Sequence, residues 1–190
     1  MMRILYLFNL VTLDGFFEGL NHDITWHNVD DEFHDFAVDQ LDKTDTILFG
    51  RITYQMMARY WPTPTAIKND PIVALKMNSM SKIVFSQTLQ KADWNNTRLV
   101  KENAVEEILK LKRQPGKDIA IFGSARLATT FIKSGLIDEF RIMVNPIVIG
   151  SGVPLFGLIK EKIKLKFLKT SAFKSGNVLL SYQLDKIGHQ

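Results

Sequence analysis

The sequence of 190 residues contains no cysteine. Disulfide scaffolds and thiolate zinc sites are therefore excluded, and so is a zinc nucleobase deaminase, which needs a Pro-Cys-x-x-Cys pair. No stretch reaches the ~20 apolar residues of a membrane span. The N-terminal run MMRILYLFNLVTLDG is broken by Asn9, Thr12 and Asp14 and lacks a small-residue cleavage site. It reads as a first strand, not a signal peptide. Gly-x-Gly-x-x-Gly and Gly-x-Ser-x-Gly are both missing, so neither a Rossmann fingerprint nor a nucleophile elbow is present. Repeats, low-complexity tracts and linkers are also missing, and the length fits a single domain over residues 1–190. A chain without thiols suits a reducing cytoplasm, and a cytoplasmic protein is expected.

What is present is ordinary core material. Hydrophobic residues make up 46% of the chain, with thirteen Phe and three Trp. The net charge is +4 and the pI about 9.2, with much of the excess in residues 160–174, where Lys alternates with Ile, Leu and Phe. A solvated strand face explains that pattern better than nucleic-acid binding, because no RNA-binding aromatic motif accompanies the lysines. The expected partner is a small molecule, not a nucleic acid or a membrane. His22, His27 and His34 are close in sequence but divided between a loop and a helix, so surface histidines are expected, with no metal.

Periodicity organises the chain. Residues 4–11 are nearly all apolar, as a strand covered on both faces should be. Residues 14–27 read as a loop. A helix is expected from about 30 to 43, with Phe33, Phe36, Ala37 and Leu41 inward and Asn28 as N-cap. Next come a short buried strand at 46–49 and a helix at 52–60 stopped by Trp61-Pro62-Thr63-Pro64. A helix at 71–78 and a strand at 82–85 follow. Then come a helix at 104–113, a strand at 118–122 and a helix at 125–134 closed by Gly135. The C-terminal part changes character. A strand at 139–144 is followed by Pro146 and Gly150-Ser151-Gly152. A strand at 163–171 with one wet face then pairs with 178–184 across the Ser175-Gly176-Asn177 turn. The predicted fold is α/β, a mixed and mainly parallel sheet flanked by helices, with an antiparallel C-terminal hairpin.

Helix termini supply an internal test for an anion site. The helix near residue 30 opens on Asp30, Asp31 and Glu32, and that near 104 has early acids and late bases, as the macrodipole favours. Two helices break the rule. One follows Gly50 and opens with Arg51; the other follows Gly123 and opens with Ala125-Arg126; neither has an acid in its first turn. A cation at a helix N-terminus is disfavoured by roughly 0.3–1 kcal/mol. Each arginine alone could simply point into solvent. Two matching strand–Gly–Arg contexts point instead to a phosphorylated ligand cradled by backbone N–H groups.

Gly50-Arg51-Ile52-Thr53-Tyr54 after a buried strand resembles the dihydrofolate reductase superfamily. Thr12-Leu13-Asp14-Gly15, Gly123-Ser124-Ala125, Gly135-Leu136-Ile137-Asp138-Glu139, Pro146, Gly150-Ser151-Gly152 and Leu155-Phe156 resemble its subgroup related to the C-terminal reductase domain of bifunctional riboflavin-biosynthesis proteins. The resemblance runs from about residue 3 to 182. It implies an oxidoreductase using NADPH, which lies across the carboxyl ends of the strands. Gly50, Arg51 and Thr53 would meet phosphates, Arg51 near the 2′-phosphate. Ser86 and Gln87 would border the adenosine. Gly123, Ser124, Ala125 and Arg126 would approach the pyrophosphate, and Asn9 the nicotinamide. It also implies a homodimer.

On the substrate side, an acid five residues after a loop Trp places Asp31, after Trp26, as the candidate catalytic carboxylate. Phe16, Phe17, Trp26 and Phe33 would line an apolar pocket for a small pteridine- or pyrimidine-like heterocycle or a carbonyl compound. Some residues depart from the pattern. Folate enzymes carry an Arg where this chain has Asn78-Ser79-Met80-Ser81, and a Thr on the strand near residues 140–145. Riboflavin-pathway reductases carry a Lys where Phe16 follows Asp14-Gly15. A reductase-like ligand-binding homodimer without efficient turnover is the alternative.

Overall fold

The computed structural model describes residues 2–185. Met1 and residues 186–190, the ends of the expected single domain, lie outside them.

The chain forms β1 (Leu5–Thr12), β2 (Phe16–Glu18), α1 (Asp31–Asp42), β3 (Thr44–Gly50), α2 (Arg51–Tyr60), α3 (Pro64–Asn69), α4 (Pro71–Ser79) and β4 (Ser81–Phe85). There follow β5 (Thr97–Val100), α5 (Ala104–Arg113), β6 (Asp118–Phe122), α6 (Ala125–Lys133), β7 (Glu139–Asn145), β8 (Val153–Pro154), β9 (Leu165–Ala172) and β10 (Val178–Leu184). Eight strands make one sheet in the order β5-β4-β3-β6-β1-β7-β10-β9. Strands β5 to β7 pair in parallel, and β10 joins β7 and β9 antiparallel. The mixed sheet with its C-terminal hairpin is the one expected from sequence.

The apolar run of β1 is divided by the pleat. Leu5, Leu7 and Val11 enter a core with Ile108, Leu127 and Phe131 on the α5–α6 side. Tyr6 and Phe8 enter a second cluster with Phe33 and Phe36 of α1 on the other side. Alternation sends neighbouring residues to opposite faces, so a strand covered on both faces must be apolar throughout.

Four local expectations change. Asp30, not Asn28, caps α1, its carboxylate accepting from Phe33 N–H at 2.8 Å. The Pro-Thr-Pro stretch is more than a stop: Thr63 caps the short helix α3, with Pro64 in its first turn. Part of the expected loop 14–27 is strand, because Phe16 and Glu18 pair with Pro154 and Val153 in a small second sheet. Strand β9 was expected to have one dry face, yet all eight of its residues are exposed. It is the edge of the sheet, with β10 as its strand neighbour.

Candidate functional site

Strands β4, β3, β6 and β1 are parallel neighbours, so their carboxyl ends share one edge. That edge gathers the sequence-predicted nucleotide residues in spatial order: Ser86 and Gln87 after β4, Gly50 ending β3 and Arg51 opening α2, Gly123 and Ser124 after β6, and Asn9 on β1. In an open α/β sheet, ligands bind in the crevice outside the carboxyl ends of the strands.

The two strand–Gly–Arg turns interlock at the centre of this edge. A Cβ on Gly50 would lie 2.3 Å from Ser124 Oγ, and one on Gly123 would lie 2.7 Å from Thr53 Oγ1. Gly123 also has φ +68°, where L side chains are strained. Helix α2 has no side-chain cap, because its N-cap residue is Gly50. Helix α6 is capped by Ser124, which accepts from Leu127 N–H at 3.3 Å and itself has φ 62°. Neither helix has an acid in its first turn. Two positive helix ends therefore abut, with Arg51 and Arg126 both exposed beside them. Arg51 touches Gln55 at 3.3 Å, within its own helix. Thr53 and Ala125 are buried, so Thr53 packs the turns together and Ala125 can offer only backbone. Ser86 closes a tight turn after β4, its hydroxyl accepting from the N–H of Leu89 at 3.0 Å.

Beside the Gly123 turn, Asn9 is buried and its Oδ1 accepts from Gly123 N–H at 2.9 Å. Its Nδ2 is buried without a partner among the described residues. An orphaned buried donor next to abutting helix termini fits a ligand that is an anion with an acceptor group to one side.

The substrate-side residues do not assemble as one wall. Phe33 belongs to an aromatic cluster absent from the sequence prediction: Phe8 approaches Phe36 at 5.6 Å, Phe122 at 5.9 Å and Phe33 at 6.5 Å, and Phe36 approaches Phe173 at 5.8 Å. Trp26 packs edge-on against His27 at 4.5 Å. Phe16 is held in β2, its N–H bonded to Thr12 Oγ1 at 3.0 Å. Phe17 packs into the core on the α5–α6 side, across the sheet from Phe33. The signals for the missed rings were the Tyr6, Phe8, Leu10 alternation and the i, i+3 spacing of Phe33 and Phe36.

Asp31 is exposed on α1, while its neighbour Glu32 accepts from Lys174 N–H at 2.8 Å and ties the helix to the β9–β10 turn. Asn28 completes that junction. Its side chain donates to Ser175 O at 2.9 Å, and its backbone meets Asn145 and Asn177 at 2.9 and 2.7 Å. The histidines do not share one environment. His34 pairs with Asp70 and His22 with Glu18. His27, expected at the surface, is half-buried, and desolvation pushes its imidazole down to about 4. Asp14 of the Thr-Leu-Asp-Gly stretch is structural. Hydrogen bonds from the Thr12 hydroxyl first, then from the amides of Gly150 and Ile149, hold its carboxyl below the ordinary range.

A cleft of about 700 Å³ opens at the opposite, amino-terminal edge, lined by Arg3, Asp45, Lys82 and Trp94 among others. Its charges are already engaged. Arg3 is ion-paired with Asp45, and the Lys82 ammonium donates to the carbonyls of Met77, Asn78 and Met80.

Comparison with known proteins places the chain in a family. The family described as RibD C-terminal domain matches residues 3–179. The chain belongs to that family. The chain is 41% identical in sequence over 174 residues to YyaP of Bacillus subtilis (strain 168), across 90% of each chain. A Thermotoga maritima diaminohydroxyphosphoribosylaminopyrimidine deaminase/5-amino-6-(5-phosphoribosylamino)uracil reductase superposes with a TM-score of 0.71 at 14% identity, over 96% of this chain and 57% of that one. Dihydrofolate reductase of Enterococcus faecalis, solved with NADP(H), superposes with a TM-score of 0.66 at 15% identity, over 98% of this chain and all of that one. The chain thus has a dihydrofolate reductase-like fold and belongs to a reductase-like family. Among the described residues, no helix is long and apolar enough to cross a membrane.

Proposed function

We propose that the protein is an NADPH-dependent reductase of a small heterocyclic or carbonyl substrate. The observation that carries this reading is the interlocked pair of acid-free, arginine-led helix N-termini on adjacent parallel strands. Backbone N–H groups of the α2 and α6 first turns would hold the pyrophosphate, and Arg51, with Ser86 and Gln87 beyond it, would take the 2′-phosphate end. The bound cofactor would supply hydride; the chain positions the acceptor and keeps water away. The five-phenylalanine cluster beside β1 offers an apolar surface for a flat acceptor.

Asp31 remains the candidate proton donor by its place after Trp26. Its exposure favours weighing a second reading, a nucleotide-binding homodimer that turns substrate over poorly. For that dimer, the exposed Leu165, Phe167 and Leu168 of edge strand β9 are the candidate contact. Calorimetric titration with NADPH and NADH tests both. The reductase reading expects NADPH to bind more tightly than NADH, with turnover of at least one pteridine, pyrimidine or carbonyl acceptor. Tight binding without turnover supports the second reading; no binding of either nucleotide overturns both.

A further inference from the structure

We infer that the acceptor pocket is a short groove between α1 and α2, shut by the His34–Asp70 pair, which takes a flat uncharged ring and excludes acceptors carrying a carboxylate or phosphate. The inference rests on the cofactor reading above and narrows its substrate class. The floor of the groove is the contact of Phe8 on β1 with Phe122 on β6, at 5.9 Å. Phe33 of α1 stands over Phe8 at 6.5 Å. On α2, Tyr54, Gln55 and Ala58 face the segment from Leu89 to Asn95. Helical spacing sends Ile52 and Met56, four residues apart, to the other flank, beside α1. Ile52 is 45% exposed and Met56 half-buried, so both walls present apolar side chains.

An ion pair closes the far end. His34 follows Phe33 on α1, on the flank where Val38 and Leu41 pack with Val73 and Met77 of α4. Its Nδ1 meets Asp70 Oδ2 at 2.8 Å. Asp70 is fixed in turn, because its other oxygen accepts from Val73 N–H at 3.2 Å as the N-cap of α4. Imidazole and carboxylate are both engaged, so a substrate tail running down the groove would have to break the pair. Charge acts in the same direction. Residues 4–42, which supply β1, the following loop and α1, contain nine Asp or Glu and no Lys or Arg, in a chain of net charge +4. The neighbouring cations turn elsewhere. Arg59 lines the cleft on the far flank of α2, and helical spacing puts Lys68 on the side of α3 opposite the buried Ala66. An anionic tail would therefore meet Asp70 without a counter-charge, and like charges brought together disfavour association.

The test titrates two fluorescent pterins into protein saturated with NADP+. 6-Hydroxymethylpterin and pterin-6-carboxylate share the ring and nearly the size, and differ in charge. Wild type is expected to bind the hydroxymethyl compound about tenfold or more tightly than the carboxylate. Asp70→Asn keeps the α4 cap, since Asn serves as well at an N-cap, while it removes the carboxylate and releases His34. In this variant the ratio of dissociation constants should shrink by about threefold or more through a gain for the carboxylate, with the neutral pterin changed less than twofold. Equal wild-type affinities, a preference for the carboxylate, or an unchanged ratio in Asp70→Asn overturn the inference. Failure of both pterins to bind overturns it too, while NADP+ binding in the same samples leaves the cofactor reading standing; loss of NADP+ binding itself removes both. If Asp70→Asn is too unstable to titrate, wild type is measured from about 0.05 M to about 0.5 M NaCl. There the ratio should narrow as salt screens the carboxylates, and a ratio that ignores salt counts against the inference.

Discussion

Gly50 faces Ser124 across the β3–β6 seam with no room between them, since a Cβ on Gly50 would come within 2.3 Å of the serine hydroxyl. These two residues are 74 positions apart in the chain (124 − 50) and belong to turns that each launch an arginine-led helix. Their contact makes two weak local motifs into one crevice.

Gly50→Ala should therefore destabilise the protein by about 1–3 kcal/mol through overpacking. Ser124→Gly removes both the obstructing hydroxyl and a left-handed non-glycine residue. In the double variant part of the Gly50→Ala loss should return. Urea unfolding of the four proteins gives the coupling directly. Strictly additive effects would contradict the seam.

Arg51→Glu separates stability from binding. An acid in the first turn of α2 should stabilise the helix by roughly 0.3–1 kcal/mol, because it complements the dipole. The same change should weaken NADPH by tenfold or more, and NADH less, since the carboxylate repels the 2′-phosphate. A melting temperature that holds or rises while NADPH affinity falls is the expected pair of readings. Parallel losses for NADPH and NADH would remove Arg51 from the 2′-phosphate.

His27 sets an acid limit. Burial depresses its folded pKa to about 4, against an ordinary 6.5. Between those values the unfolded chain binds the extra proton and the folded chain does not, so stability rises with pH there. The contribution is fully present above pH 6.5 and is lost as pH falls through 4. The gap corresponds to about 3 kcal/mol. Stability measured by urea from pH 7 to pH 4 should fall less steeply in His27→Gln than in wild type. Identical slopes would place the acid sensitivity elsewhere.

Phe167→Glu tests assembly. Phe167 is 55% exposed on edge strand β9 and contacts Tyr182 at 5.8 Å. If β9 mediates a homodimer, light scattering after size exclusion should give a dimer for wild type and a monomer for the variant. A dimeric variant excludes this edge as the contact.

Much of the fold was legible because its elements carry strong local signals. Helix α5 and strand β6 follow the sequence reading to the residue, α5 because apolar Val105, Ile108 and Leu109 recur at helical spacing and Pro115-Gly116 ends the pattern. The meeting of two acid-free, arginine-led helix starts at one sheet edge was foreshadowed for the same reason, through the misplaced cations Arg51 and Arg126. The substrate side was not. Phe16, Trp26 and Phe33 are close in sequence, but pairing of Phe16 with Pro154 and packing of Phe33 on Phe36 send them to different neighbours. Phe8, Phe122 and Phe173 meet Phe36 or one another only through sheet order and the C-terminal turn, which no local period encodes. Strand β9 misled because alternation of Lys with Leu and Phe normally marks a half-buried strand, whereas an edge strand can leave both faces exposed.

The long sequence separation across the Gly50–Ser124 seam has a kinetic and thermodynamic consequence. Each half of the crevice is a local turn, but their meeting is not, so closing the crevice belongs to the non-local, slow part of folding. A phosphorylated ligand bridging the two turns would recognise only the completed fold. At one hundred times its Kd it would add about 2.7 kcal/mol to the unfolding free energy. Nucleotide addition late in refolding should then shift the midpoint of unfolding more than the rate of collapse, making the ligand a reporter of finished topology.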